Sequence, residues 1–117
     1  MTRAINNVAA KAKKKKILGL AKGFRGRAKN CFTIAKERVE KALTYAYRDR
    51  KNRKRDFRVL WIQRVNAGVK GHGLTYSQFI DGLNKMDINI NRKMLSEMAI
   101  REEDSFNRLV ELVKNNA

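Results

Sequence analysis

The excess positive charge of this chain lies in its first half, and that half cannot condense on itself. Met1 to Arg58 carries 20 Lys/Arg against 4 Asp/Glu, a net of +16, whereas Val59 to Ala117 carries 8 against 7, a net of +1. A like-charged segment repels itself and needs a dense negative partner, while a balanced one can close around its own core. From Met1 to Lys36 there are 11 bases, no acid and few large apolar residues. That stretch is expected to stay disordered until a polyanion neutralises it. The predicted organisation is therefore a basic extension over 1–58, disordered when free and helical on its partner, and a small domain over 59–117. A segment of the second size buries only about 60% of its unfolded surface and is marginally stable alone.

The fold class predicted is all-α: a long basic N-terminal helical extension plus a small C-terminal helical globular domain. Proline is absent, and between Gly26 and Gly68 lie 41 residues with neither Gly nor Pro. If helical at 1.5 Å per residue, most of that stretch forms a rod roughly 60 Å long, longer than a small domain is wide. The pattern predicts a short basic helix over Asn7 to Leu20, a glycine-punctuated linker, and the long helix from about Phe32 to Ala67. Gly68 to Gly73 should end it. Leu60, Trp61, Ile62 and Val65 on its last turns should enter the core.

Three short helices should complete the domain. Thr75-Tyr-Ser-Gln78 has the form of a capping box, followed by Tyr76, Phe79, Ile80 and Leu83 at helical spacing. Asn91 is the expected cap of the next helix, which should bury Leu95, Met98 and Met94. The last runs from about Glu103 to Lys114 with Phe106, Leu109, Val110 and Val113 on one face. Met86 to Ile90 alternates like a strand but is too short to make a sheet, so it is read as a connector.

Several function classes are disfavoured. The single Cys31 excludes an internal disulfide and a multi-cysteine zinc site. No run of apolar residues approaches a membrane span, and the basic N-terminal stretch lacks the apolar core of a signal peptide. His72, between Gly71 and Gly73, has no Cys, His or carboxylate cluster around it, so it is read as a turn residue rather than a metal ligand. No catalytic constellation, cofactor motif or small-molecule substrate site is evident. These features describe an intracellular, soluble, polyanion-binding protein.

The densest chemical signal is Arg48-Asp-Arg-Lys-Asn-Arg-Lys-Arg-Asp-Phe-Arg58. At 100° per residue its seven bases span about 220° of the helix circumference, and Asp49, Asn52 and Asp56 fall in the one gap. An amphipathic membrane helix would need an apolar face in that gap, and a coiled coil would need an apolar seam. A rod basic over most of its girth suits burial among phosphates on several sides, as inside folded RNA. Asp49 and Asp56 lie within intrahelical pairing reach of Arg53, as modest helix support or to orient it. They are not a catalytic pair, because no nucleophile or metal-ligand set accompanies them.

Phe24, Phe32, Tyr45, Tyr47 and Phe57 interleave the bases, and unpaired nucleobases stack on such rings. Phe57 stands four residues before Trp61, where core packing competes with stacking; Tyr45 and Tyr47 are the better stacking candidates. Lys11 to Lys16 alone fits a localisation-type or a generic nucleic-acid patch and is non-specific. The candidate RNA-binding set is Lys11, Lys13, Lys14, Lys15, Lys16, Lys22, Arg25, Arg27, Lys29, Tyr45, Tyr47, Arg48, Arg50, Lys51, Arg53, Lys54, Arg55, Arg58, Arg64, Arg92 and Lys93.

Four segments carry a family resemblance nearly end to end. They are Lys15-Lys-Ile-Leu-Gly-Leu-Ala-Lys-Gly-Phe-Arg-Gly26, Ala46-Tyr-Arg-Asp-Arg-Lys-Asn-Arg-Lys-Arg-Asp-Phe-Arg-Val-Leu-Trp-Ile62, Arg64-Val-Asn-Ala67 and Gly73-Leu-Thr-Tyr-Ser-Gln-Phe-Ile80. The chain resembles the L-twenty family of bacterial-type large-subunit ribosomal proteins. The resemblance implies a helical extension threaded into large-subunit ribosomal RNA, a helical domain on the subunit's outer side, and a role in early subunit assembly. It implies neighbouring ribosomal proteins as partners, a cytoplasmic ribosomal location and, in some bacteria, repression of the protein's own operon through its messenger RNA. Two departures stand out. Glu102 replaces the Asp that often opens the last helix and caps it less well, and Asn6-Asn7 replaces a more basic start.

The alternative reading is a helical DNA-binding regulator or nucleoid-type protein, with Arg58 to Asn66 as recognition helix. Against it, that segment would open the domain rather than form its third helix, and its apolar residues are wanted in the core. A nuclease reading lacks any acid–base or metal set.

Overall fold

A computed structural model of the chain describes Ile5 and residues 7–116. Among the described residues there are five α-helices and no strand: α1 (Asn7–Leu20), α2 (Phe32–Lys70), α3 (Tyr76–Lys85), α4 (Arg92–Arg101) and α5 (Glu103–Asn115), with a short 3₁₀ turn at Gly26–Lys29. The all-α expectation holds, and the five helices lie where periodicity and caps put them. Asn6, part of the unusual start, lies outside the described residues. The chain divides into two compact units, Met1–Lys51 and Asn52–Ala117, whereas the charge balance changes at Val59.

In the second unit the core is Val65 and Val69 from α2, Phe79 and Leu83 from α3, Leu95 from α4, and Phe106, Leu109, Val110 and Val113 from α5. The α5 set at i, i+3, i+4 and i+7 forms one apolar stripe, and Phe106 meets Phe79 at 5.7 Å between ring centroids, tilted by 54°. Thr75 and Gln78 form the expected reciprocal capping box, and the Asn91 side chain accepts from the Met94 amide. Glu102 makes no side-chain cap bond to α5, as its poor capping character suggested.

Three expectations are corrected here. Of Leu60, Trp61, Ile62 and Val65, only Val65 is fully buried; the other three are half-buried and stand outside the core cluster. The covering helices are only 10 to 13 residues long, roughly 15–20 Å, so they cannot enclose more turns of α2. Met98 packs against the core but Met94 is exposed, since it stands one residue before Leu95 on a different face of α4. Gly68 does not break α2; the helix runs on to Lys70 and buries Val69 one turn after Val65.

The true terminator is Gly73, whose φ of +80° suits a residue without a Cβ. Its amide donates to the Lys70 carbonyl at 3.1 Å and the Leu74 amide to the Val69 carbonyl at 3.3 Å, the paired bonds of a Schellman motif. The same pattern closes α3, where Ile88 donates to Leu83 and Asp87 to Asn84, with Asp87 at φ +57°. That left-handed residue is why Met86 to Ile90 is a connector despite its alternation.

The first unit has a small core that the sequence reading missed. Ala21, Ala35 and Val39 are buried together, with Ile17, Leu18 and Phe24 packed against them. It joins the end of α1 and the linker to the opening turns of α2.

Candidate nucleic-acid interface

Lysines at 11, 13, 14, 15 and 16 are exposed along α1, where nothing is fully buried. Lys14 reaches the start of α2, its Nζ standing 5.6 Å from the centroid of the Phe32 ring. The turn that follows carries Lys22, Arg25, Arg27 and Lys29, all exposed. The Arg27 guanidinium donates to Cys31 Sγ at 3.9 Å, which leaves the lone thiol as a local contact of the turn.

On α2, cations and tyrosines interleave at helical-neighbour spacing. Lys41 Nζ and Arg48 Cζ stand 5.3 Å and 4.6 Å from the Tyr45 ring centroid, and Lys51 Nζ stands 5.5 Å from that of Tyr47. These are i,i+3 and i,i+4 pairs, the positions that share a helix face. Both rings stay open to a partner, at 42% exposure for Tyr45 and 61% for Tyr47.

Arg50, Lys51, Arg53, Lys54, Arg55 and Arg58 are exposed. The expected pairing of Asp49 with Arg53 does not form: Asp49 instead accepts from its neighbour Arg48, Nε to Oδ1 at 3.0 Å. With both side chains about 60% exposed, that pair adds little stability. Among the described residues the three ion pairs are this one, Lys85–Asp81 and Arg101–Glu97. The rest of the basic run is left uncompensated by carboxylates. Phe57 stacks on Trp61 at 6.3 Å and 25° but is 48% exposed, so it lies on the surface rather than in the core.

The two compact units carry the candidates unequally. In the second, Arg64 and Lys93 are exposed, while Arg92 is half-buried and donates from Nε to the Tyr76 hydroxyl at 2.8 Å. Arg92 thus has an internal role in tying α4 to α3. His72 Nε2 stands 2.8 Å from Asn107 Oδ1, which anchors the turn after α2 to α5. Among the described residues no three His, Cys, Asp or Glu side chains gather as a metal set, and no helix is long and apolar enough to cross a membrane.

Arg25, Arg27 and Tyr45 converge on a single groove of about 570 Å³ in the first unit. Arg38 and Lys41 line it too, and the sequence reading left both out. Their signal was available: Ile34, Arg38, Lys41, Ala42 and Tyr45 recur at three- and four-residue spacing and share one face of α2.

The sequence model of the family described as Ribosomal protein L20 matches residues 3–109. The chain belongs to this family. It is 60% identical over 114 residues to the large ribosomal subunit protein bL20 of Rickettsia akari (strain Hartford), covering 97% of each chain. The protein of that name from Rhodospirillum centenum is 60% identical over 111 residues, 95% of this chain and 93% of its own. That from Wolbachia pipientis subsp. Culex pipiens is 56% identical over 115 residues, 98% and 95% of the two chains. Family membership makes the chain a structural protein of the bacterial large ribosomal subunit and not an enzyme. The DNA-regulator alternative falls with it. Arg58 to Asn66 belongs to α2, with Val65 fully buried in the core.

Proposed function

We propose that this chain binds large-subunit ribosomal RNA directly and promotes assembly of that subunit. The observation that carries the reading is the uncompensated basic surface: apart from Arg92, every candidate side chain is exposed, and only Arg48 among them has a carboxylate partner within the described residues. Phosphates are the natural counter-charge for such a surface, and their neutralisation releases counterions. Residues 1–58 act as the RNA-threading part, organised by the phosphates around them, and 59–117 as the part that folds first and meets neighbouring ribosomal proteins.

The test is a salt titration of binding to a large-subunit RNA fragment, run beside random duplex DNA. Tight RNA binding that weakens steeply with salt is expected, and equal affinity for the DNA at physiological salt overturns the reading. The finer reading, binding of the chain's own messenger and repression of its translation, is checked by adding the operon leader to a translation assay. Repression that depends on that leader is expected, and its absence removes this part alone.

A further inference from the structure

The groove in the first unit has a mixed chemistry that generic phosphate binding does not use. It is lined by the cations Arg25, Arg27, Arg38 and Lys41 and by the aromatic rings of Phe24 and Tyr45, and no Asp or Glu lines it. Among the described residues Arg25, Arg38 and Lys41 form no ion pair, so their charge is available to a ligand. The groove's volume of about 570 Å³ is on the scale of small-molecule sites, about 300–1,000 Å³, although it is an open groove.

A duplex keeps its bases stacked inside and presents only backbone, which leaves a concave, ring-lined floor unfilled. The carboxylates of an acidic peptide would meet the guanidiniums but offer no aromatic face to the rings. An unpaired nucleotide supplies both, an anionic phosphate and a flat base. The groove is also held in advance on one flank, where Phe24 packs on the Ala21–Ala35–Val39 cluster. Gly23 and Gly26, at φ +88° and +62°, form the turn that carries Phe24 and Arg25 to the groove.

Building on the proposed RNA binding, we infer that this groove holds one unpaired RNA nucleotide, its base stacked on Tyr45 and its phosphate held by Arg25 and Arg38. The site reads the presence of an extruded base rather than a sequence. It thereby fixes the register of the basic extension at one irregular point of the RNA.

The experiment uses the full chain and two hairpin RNAs of identical stem, one with a single-nucleotide bulge of 2-aminopurine and one fully paired. At fixed salt the wild type should prefer the bulged hairpin by about tenfold and change the fluorescence of the bulged base. Tyr45→Ala should abolish the preference with little effect on the paired hairpin, and Tyr45→Phe should retain it. Arg38→Gln, which leaves both rings in place, should weaken the bulged complex more than the paired one. It keeps the test decisive if Tyr45→Ala disturbs the fold. No bulge preference in the wild type, or an undiminished one in Arg38→Gln and in a folded Tyr45→Ala, overturns the inference. A large-subunit RNA fragment is run alongside: if it still outcompetes duplex DNA, only the groove assignment falls. If it does not, the broader reading falls as well.

Discussion

Gly68 lies against the ring of Phe106: a Cβ at this position would stand 2.7 Å from Cε1 and 3.1 Å from Cζ. The ring is buried in the core beside Phe79 and has no open side to move toward. Gly82 makes the same kind of approach to Val113, where a Cβ would collide with Cγ1. Two glycines inside helices thus set how closely α2 and α3 pack on α5.

Gly68→Ala should therefore destabilise the second unit, although alanine is the better helix former by about 1 kcal/mol. Overpacking of a filled core costs about 1–3 kcal/mol, so a net loss of roughly 1 kcal/mol is expected. Denaturant unfolding should show a lower midpoint at unchanged slope. A midpoint equal to or above that of the wild type would mean that Phe106 yields without cost.

Gly68 also shows where the sequence misleads. Caps were readable because Thr75 with Gln78, and Asn91, satisfy helix amides through their own side chains, a chemistry confined to four residues. The α5 stripe was readable because its period is local too. Glycine has no side chain to declare its purpose. A terminator such as Gly73 and a close-approach site such as Gly68 look alike until the opposing ring is seen. The cluster of Ala21, Ala35 and Val39 was missed because small residues in a basic segment carry almost no hydropathy signal. Arg38 and Lys41 were passed over as ordinary charges on a charged helix, since their value comes from lining the same groove as Arg25.

The helix starts provide a paired prediction. Thr75→Ala removes a hydroxyl that accepts from the Gln78 amide at 3.3 Å and ends the reciprocal bond pattern. A loss of about 1 kcal/mol is expected. Glu102→Ala should change stability by no more than about 0.5 kcal/mol. Its side chain makes no cap bond, and it ends α4 while starting α5, so the two helix dipoles act on its charge with opposite sign. Thermal unfolding of the two variants ranks them, and equal losses would contradict the assignment of caps.

Among the described residues, the one perturbed titration lies in the second unit. Asp81 Oδ2 accepts from Lys85 Nζ at 2.8 Å, and this hydrogen bond, with the carboxylate's charge, raises the Lys85 pKa above its ordinary 10.5. A raised lysine pKa in the folded state means that the pair's contribution is fully present below that ordinary value and fades as pH rises through the folded one. Both side chains are well exposed, so the effect on stability is small and screened by salt. Asp81→Asn should return the Lys85 titration toward its ordinary value, as followed by NMR of the ε-methylene, and should leave stability at neutral pH nearly unchanged. An unshifted titration would show that Asp81 is not its partner.

The sharpest functional prediction falls on Arg53 and Arg55, which are exposed and have no carboxylate partner among the described residues. Removing either guanidinium takes nothing from the core, so Arg53→Glu with Arg55→Glu should leave cooperative unfolding of residues 52–117 intact. Binding to large-subunit RNA should weaken strongly, because two cations become two anions in a field of phosphates. If each arginine neutralises one phosphate, the logarithmic salt slope should become shallower by about 1.4–1.8. Sucrose-gradient profiles of reconstituted subunits should show assembly stalled before the mature particle. Asp81→Asn, which changes charge outside the basic run, serves as the matched control. Normal assembly together with an unchanged salt slope would move the RNA contact away from this stretch of α2.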